Sequence, residues 1–401
     1  MASPRAAFHL PEYNKHSPPP RACSTHGAMS ELRTPGAPGA TLGTTEAATA
    51  AVAERIARWR ALTADRPGDD PFAPMAQAGL FEIGLPGCDG RLDSYGAIAQ
   101  AEQAIAAATG ELGLATAFAG RQLIARFFIA GFADAAQRGE LLPRIASGRG
   151  WAAVAISEPG AGAHPKHLQT TAELQGDGYV VNGRKAWITN GPVADLFLVL
   201  AITDIDQGRK RYGLFQVPRD TAGLTLTPMP SLDVLKPASH CELSFENCVV
   251  PASARIGTIP DAYPAMALPF RDLEDTVATA TTVGYLDWLL HTVAARVERS
   301  EDHALTLGRL AGLLSLAQAA SAAAVRALDS GEPPNGARVI GVRSLARMLV
   351  EELRALLPLD RIDDQLTRSL AAFDVLANVA REPRKQRQIA LGQSLWSTQQ
   401  Q

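Results

Sequence analysis

The sequence predicts an α+β multidomain chain: an N-terminal α-helical domain, a middle antiparallel β domain and a C-terminal α-helical bundle. Three observations predict it. From about Thr45 to Ser147 apolar residues recur at helical spacings, beginning with Ala51, Ile56, Trp59 and Leu62. From Trp151 to Gly257 short strand-like runs follow one another between turn residues. From Ala265 onward the helical period returns, with Leu310, Leu313, Leu314 and Ala317 on one stripe. The 401 residues suit two or three domains. The expected division is an extension at 1–40, a helical domain at 41–150, a β domain at 151–257 and a helical bundle at 258–401.

The first forty residues have no apolar period and carry Pro18-Pro19-Pro20, so disorder is expected there. They lack the apolar core of a secretory signal. Met29 is an alternative start to Met1. In the helical part, Leu123, Ile124, Phe127, Phe128 and Ile129 form an apolar segment ending at Gly131, and Leu85 to Gly90 is a turn cluster. The strand-like runs are 152–156, 179–181, 184–189, 196–203, 212–217, 224–228 and 241–250. Asn182-Gly183 reads as a hairpin turn between the second and third runs. Their spacing suggests a sandwich or small barrel. Gly331 to Gly336 closes one C-terminal helix. Another is expected from about Arg338 to Leu357, then a final pair over roughly 361–380 and 383–396.

Composition excludes several functions. With 38 basic against 41 acidic residues, the chain lacks the basic excess of a nucleic-acid binder. No apolar run reads as long enough to span a bilayer. Cys23, Cys88, Cys241 and Cys248 make no CxxC pair and no metal-ligand spacing, which reads as reduced thiols in a cytoplasmic protein. His164 and His167 stand three apart with no carboxylate partner, so no metal site is expected.

Two motifs carry the chemistry. Ser157-Glu158-Pro159-Gly160-Ala161-Gly162 puts a hydroxyl before a Pro-Gly turn with several backbone N–H groups expected free. Asn182-Gly183-Arg184-Lys185-Ala186-Trp187-Ile188-Thr189-Asn190-Gly191 puts an indole and a hydroxyl at a strand end. Alone, the first is an ordinary loop and Trp187 an ordinary core residue. Together, the first resembles the "TEPGAGS" and the second the "NGxKxWITNG" of acyl-CoA dehydrogenases. Leu142-Pro143 with Ala146-Ser147-Gly148 resembles that family's "LPxxASG". Leu243, Phe245, Val250-Pro251 and Gly257 resemble its "LxFxxVxVPxxxxxG". The matches run in order over about 110 residues.

The resemblance implies FAD lying against the middle domain, contacted by Ile156, Ser157, Gly162, Ala163, Trp187, Ile188 and Thr189. It implies an acyl thioester, on coenzyme A or a carrier protein, between flavin and C-terminal helices. A carboxylate would remove the α-proton while the flavin accepts the β-hydride. The implied partners are an electron-transfer flavoprotein or similar acceptor, and a homodimer, homotetramer or hetero-oligomer with a related subunit. Family members carry the base in one of two places. Phe270-Arg271-Asp272-Leu273-Glu274-Asp275 aligns with the "LDLERL" of the isovaleryl- and long-chain-type members, which puts the base at Glu274. The chain-end alternative is Glu382, where the "YEGT" motif is absent. Without the resemblance, Glu274 in its charged run reads as a solvated helix face. Asp275 stands where an arginine usually follows the base, and its charge would raise the pKa of Glu274.

Three family features are missing. The "RxxFGxxLxxxQ" segment is absent, with about ten residues lost near Val297 to Arg309. The "GGxGY" segment that receives a partner's FAD is absent, and Ala163 replaces a serine that bonds the diphosphate. A second reading therefore stands beside the enzyme: a non-catalytic or partner-dependent subunit of the same fold.

Overall fold

A computed structural model describes residues 45–64 and 70–397. The expected extension, Met29 and Cys23 lie outside the described residues. The N-terminal helices are α1 (Thr45–Ala64), α2 (Ala73–Gln77), α3 (Tyr95–Thr109), α4 (Leu112–Ile124) and α5 (Ala135–Ala146). Their ends follow local chemistry. The Ser94 hydroxyl accepts from Ala97 N to start α3, and Gly110 at φ 70° ends it. Asp134 and Gln137 form a reciprocal capping box at the start of α5. A π-helical turn, Ala125–Ala130, continues α4 and aims Phe127 and Phe128 at Phe270.

Seven strands follow: β1 (Ala152–Ala155), β2 (Thr171–Gln175), β3 (Gly178–Thr189), β4 (Leu196–Asp206), β5 (Arg209–Pro218), β6 (Leu224–Pro228) and β7 (His240–Pro251). They make one sheet in the order β1-β4-β2-β3-β7-β6, with β5 on the free side of β4. The antiparallel expectation holds for most pairs, but β1 runs parallel to β4, and β2 meets β4 in parallel at Thr171 and Ile202. The expected hairpin at Asn182-Gly183 is also corrected. Those residues lie inside β3, at a register shift against β7. The tight turn is at Gly176 and Asp177, closing β2 onto β3 with Gln175 opposite Gly178. Gly183 is needed there for space: at φ 142°, an added Cβ would lie 2.6 Å from Thr170 Cα.

The C-terminal helices are α6 (Leu268–Ala294), α7 (Glu301–Asp329), α8 (Gly336–Leu356), α9 (Asp364–Asn378) and α10 (Arg381–Ser397). The long α6 packs against α3, α7 and α8. Gly284 permits the α3 contact, since a Cβ there would lie 2.3 Å from the Gln103 carbonyl oxygen. The N- and C-terminal helices share one core, which includes Phe118, Phe128, Phe270 and Leu289. A second core fills the β region, around Phe197, Phe215, Ile188 and Cys241.

The bilayer expectation needs one correction. Two helical stretches, 112–130 and 301–329, are long and apolar enough to cross a membrane. The first is mostly buried in the shared core. The second packs one face on α6 and α8, and carries Glu301, Asp302, Arg309 and Arg326.

Candidate functional site

The two motifs are latched together by a pair to which the motifs alone assign no role. Lys185 and Glu158 are both buried, with Nζ 2.9 Å from Oε1. Lys185 Nζ also donates to the Ile156 carbonyl at 3.0 Å. Glu158 accepts from the backbone N–H of Gln169 and Thr170 at 2.7 and 3.0 Å. Burial pushes the Glu158 carboxyl up, but Lys185 and these donors outweigh it and hold the pKa below the usual range. Burial pushes Lys185 down to about 8 against the pull of Glu158. A third tie joins the backbones, where Ala186 N donates to the Ser157 carbonyl at 2.9 Å.

This latch shapes strand β3. Lys185 lies opposite Leu243 and Ile188 opposite Cys241, so three residues on β3 span two on β7. The extra residue is a bulge, and it lets Lys185 and Ile188 both face inward. Trp187 takes the strain. Its φ is 63°, rare for a bulky residue, and its indole is 51% exposed. Thr189 follows on the outer face, opposite His240, with Oγ1 and Nε2 3.2 Å apart. Ile156, Ser157 and Thr189 are half-buried; Ile188 is in the β core.

The turn after Ser157 is less open than its sequence implies. The N–H groups of Glu158, Ala161, Gly162 and His164 all bond carbonyls within residues 158–162. Gly162 and Ala163 are exposed, and the Ala163 carbonyl accepts from the Tyr263 hydroxyl at 2.8 Å. The expected free donors are therefore largely spent inside the turn. The site fits a planar ring better than a diphosphate. Trp187 presents an exposed indole, a flat apolar face, and Ser157 and Thr189 stand on the same two motifs. This stretch alone supplies few donors for an anion.

Glu274 lies on α6. Its side chain is open to solvent, yet protein surrounds the carboxyl closely enough to push its pKa up to about 7. Burial is the larger cause and the charge of Asp275 the second, with Arg384 and Arg343 pulling the other way. Asp275 turns away from it. Its carboxylate meets Arg343 of α8 at 2.5 Å and Arg384 of α10 at 3.4 Å, and also pairs with Arg387. Burial opposes ionisation, but these three arginines hold Asp275 down to about 2. Glu382 stands exposed on α10 and accepts from Gln386 Nε2 at 2.9 Å. A hollow of about 400 Å³ is lined by Glu82, Cys88, Asp89 and three residues of the Leu142–Gly148 motif, Pro143, Ala146 and Ser147, but by none of the predicted flavin or base residues. Among the described residues no cluster of three or more His, Cys, Asp or Glu is placed to hold a metal.

Sequence reasoning assigned no contact to Glu158, Lys185 or His240. One signal was present: a lysine and a glutamate inside otherwise apolar or turn motifs, where a lone charge would be costly to bury.

Two family models match this chain. "Acyl-CoA dehydrogenase, N-terminal domain" matches residues 43–149, and "Acyl-CoA dehydrogenase, middle domain" matches residues 153–248. Together they cover about half of the sequence, and the chain belongs to the acyl-CoA dehydrogenase family. It is 31% identical over 172 residues to a mitochondrial isovaleryl-CoA dehydrogenase of Solanum tuberosum, a match covering 43% of this chain and 42% of that one. The chain thus aligns with less than half the length of that curated relative. The fold is similar to butyryl-CoA dehydrogenase from Megasphaera elsdenii, with a TM-score of 0.77 at 17% identity, over 88% of this chain and 98% of that one. It is also similar to a glutaryl-CoA dehydrogenase from Mycobacterium smegmatis in complex with FADH2, with a TM-score of 0.72 at 21% identity, over 86% and 94% of the two chains.

Proposed function

We propose that this chain is a flavin-dependent dehydrogenase that forms the α,β double bond of an acyl thioester, carried on coenzyme A or on a carrier protein. The observation that carries the reading is Glu274: a carboxylate on α6 whose pKa is pushed up to about 7. At that value it is a stronger base than an ordinary carboxylate and a substantial fraction of it is still ionised in neutral solution. Glu382 is exposed on α10 and accepts from Gln386. FAD, when bound, supplies the hydride acceptor. Ser157, Trp187 and Thr189 would hold its ring, with the Ile156, Gly162, Ala163 and Ile188 backbone beside them. Glu274 would take the α-proton onto its carboxylate. Hydrogen bonds to the thioester oxygen would stabilise the enolate charge that develops as the proton leaves.

The family membership and the FADH2-bound neighbour support the cofactor. The spent donors of the 158–164 turn support a second subunit, identical or related, as the source of diphosphate contacts. An electron-transfer flavoprotein or similar acceptor would take the electrons onward. Cys88, Cys241 and Cys248 are free thiols, which supports a reducing compartment such as the cytoplasm.

A partner-dependent, non-catalytic subunit is the competing reading. The short connection from α6 to α7, residues 295–300, favours it, since the segment missing from the sequence would lie there. A visible spectrum decides between them. Protein purified with FAD should be yellow, and an acyl-CoA should bleach it. Glu274→Gln should keep the flavin bands and lose the bleaching. Protein that stays colourless with excess FAD and no partner refutes the self-sufficient enzyme, and bleaching that persists in Glu274→Gln removes Glu274 as the base.

A further inference from the structure

We propose that His240 is a positioning residue that sets which way the Thr189 hydroxyl points its proton, and so which redox state of a bound flavin the wall favours. The inference rests on the reading above that Thr189 faces the flavin.

The contact follows from the sheet. Thr189 and His240 are register partners across β3 and β7, so their side chains share one face. Cys241 and Ile188, one step along, face the core instead. The backbone on both sides is pinned: Asn190 N donates to the Ser239 carbonyl at 2.7 Å, and Met229 N donates to the His240 carbonyl at 2.9 Å. His240 Nε2 therefore meets Thr189 Oγ1 at 3.2 Å from a fixed frame. The ring is half-buried, and burial lowers its affinity for a second proton. The Ala238 carbonyl lies near the ring, yet Nδ1 is buried without a well-formed hydrogen bond. Its geometry does not lock the tautomer.

A neutral imidazole has one N–H and one bare nitrogen. If Nε2 is bare, the Thr189 O–H donates to it, and the oxygen's remaining lone pairs face outward. If Nε2 carries the proton, it donates to Oγ1, and the threonine proton is free to face outward. The same hydroxyl is an acceptor in the first state and a donor in the second. The proton moves only between the two nitrogens of one ring, and the net charge does not change. Flavin N5 accepts a hydrogen bond when oxidised and carries a hydrogen when reduced. The tautomer of His240 therefore decides which state the hydroxyl serves: the oxidised flavin when Nε2 carries the proton, the reduced flavin when Nε2 is bare. Without His240, that hydroxyl loses its fixed partner on the protein side.

The test is the reduction potential of the bound flavin, measured by spectroelectrochemistry on the full chain. Thr189→Val and His240→Leu should each change the ratio of affinities for the two redox states about tenfold, roughly 30 mV for a two-electron couple. The double variant should shift no further than the larger single shift, because both act through one hydrogen bond. His240→Gln, which keeps a donor and acceptor near Nε2, should restore the wild-type potential. An unchanged potential in His240→Leu, or shifts that add in the double variant, overturns the proposal. If His240→Leu does not fold, His240→Gln against Thr189→Val carries the comparison. A wild-type protein that never binds flavin defeats the functional reading instead. The pairing is then judged in the flavin-free protein by ring-nitrogen NMR. The His240 Nε2 signal should move in Thr189→Val, and a signal that stays in place overturns the pairing.

Discussion

Glu274 and Asp275 are neighbours on one helix with opposite fates. Their pKa values are driven apart, to about 7 and about 2, because burial and the charge of Asp275 raise the one while three arginines hold down the other. This separation has a consequence for stability. The folded pKa of Glu274 is raised above its unfolded value, so its contribution is present below about pH 4.5 and is lost as pH rises through 7. Glu274→Gln should therefore melt higher than the wild type at pH 8 and gain little at pH 4. Thermal melts across that range check this, and a pH-independent difference would refute it. The identity of Glu274 as a candidate was legible in the motif around it. The raising effect of Asp275 was legible beside it; the larger effect of burial was not, nor the opposing pull of Arg343 and Arg384, which lie about 70 and 110 positions later in the sequence.

Strand β3 shows how an element obeys a constraint that its own residues do not display. Its hydrophobic alternation breaks at Ala186 and Trp187, and the break is needed to bring Lys185 inward to Glu158. The pair ties the loop after β1 to the middle of β3. Lys185→Met should leave the Glu158 carboxylate buried without its partner, at a cost of about 3–5 kcal/mol. Urea denaturation measures it, and the double change with Glu158→Gln should cost less than the single one. Equal costs would mean that the backbone donors at Gln169 and Thr170 suffice for Glu158. The dipeptide Asn182-Gly183 favours a turn by its local chemistry. Packing of Gly183 against Thr170 overrides that preference, and the turn forms at Gly176 and Asp177.

For the whole molecule, the question is whether one chain completes a flavin site. If it does, FAD should raise the melting temperature progressively with concentration, by mass action. A flat response that becomes steep on adding a related subunit would assign the missing contacts to that partner. The helical, strand and helical order was readable from the sequence, because hydrophobic period and turn residues are local properties. The family was readable too, because its motifs are contiguous. Tertiary structure alone decided the rest. It joined the N- and C-terminal helices in one core, set β1 parallel to β4, spent the turn amides on their own carbonyls, and placed His240 against Thr189. Each of these depends on which distant residues meet, and a linear pattern of residue types does not specify that.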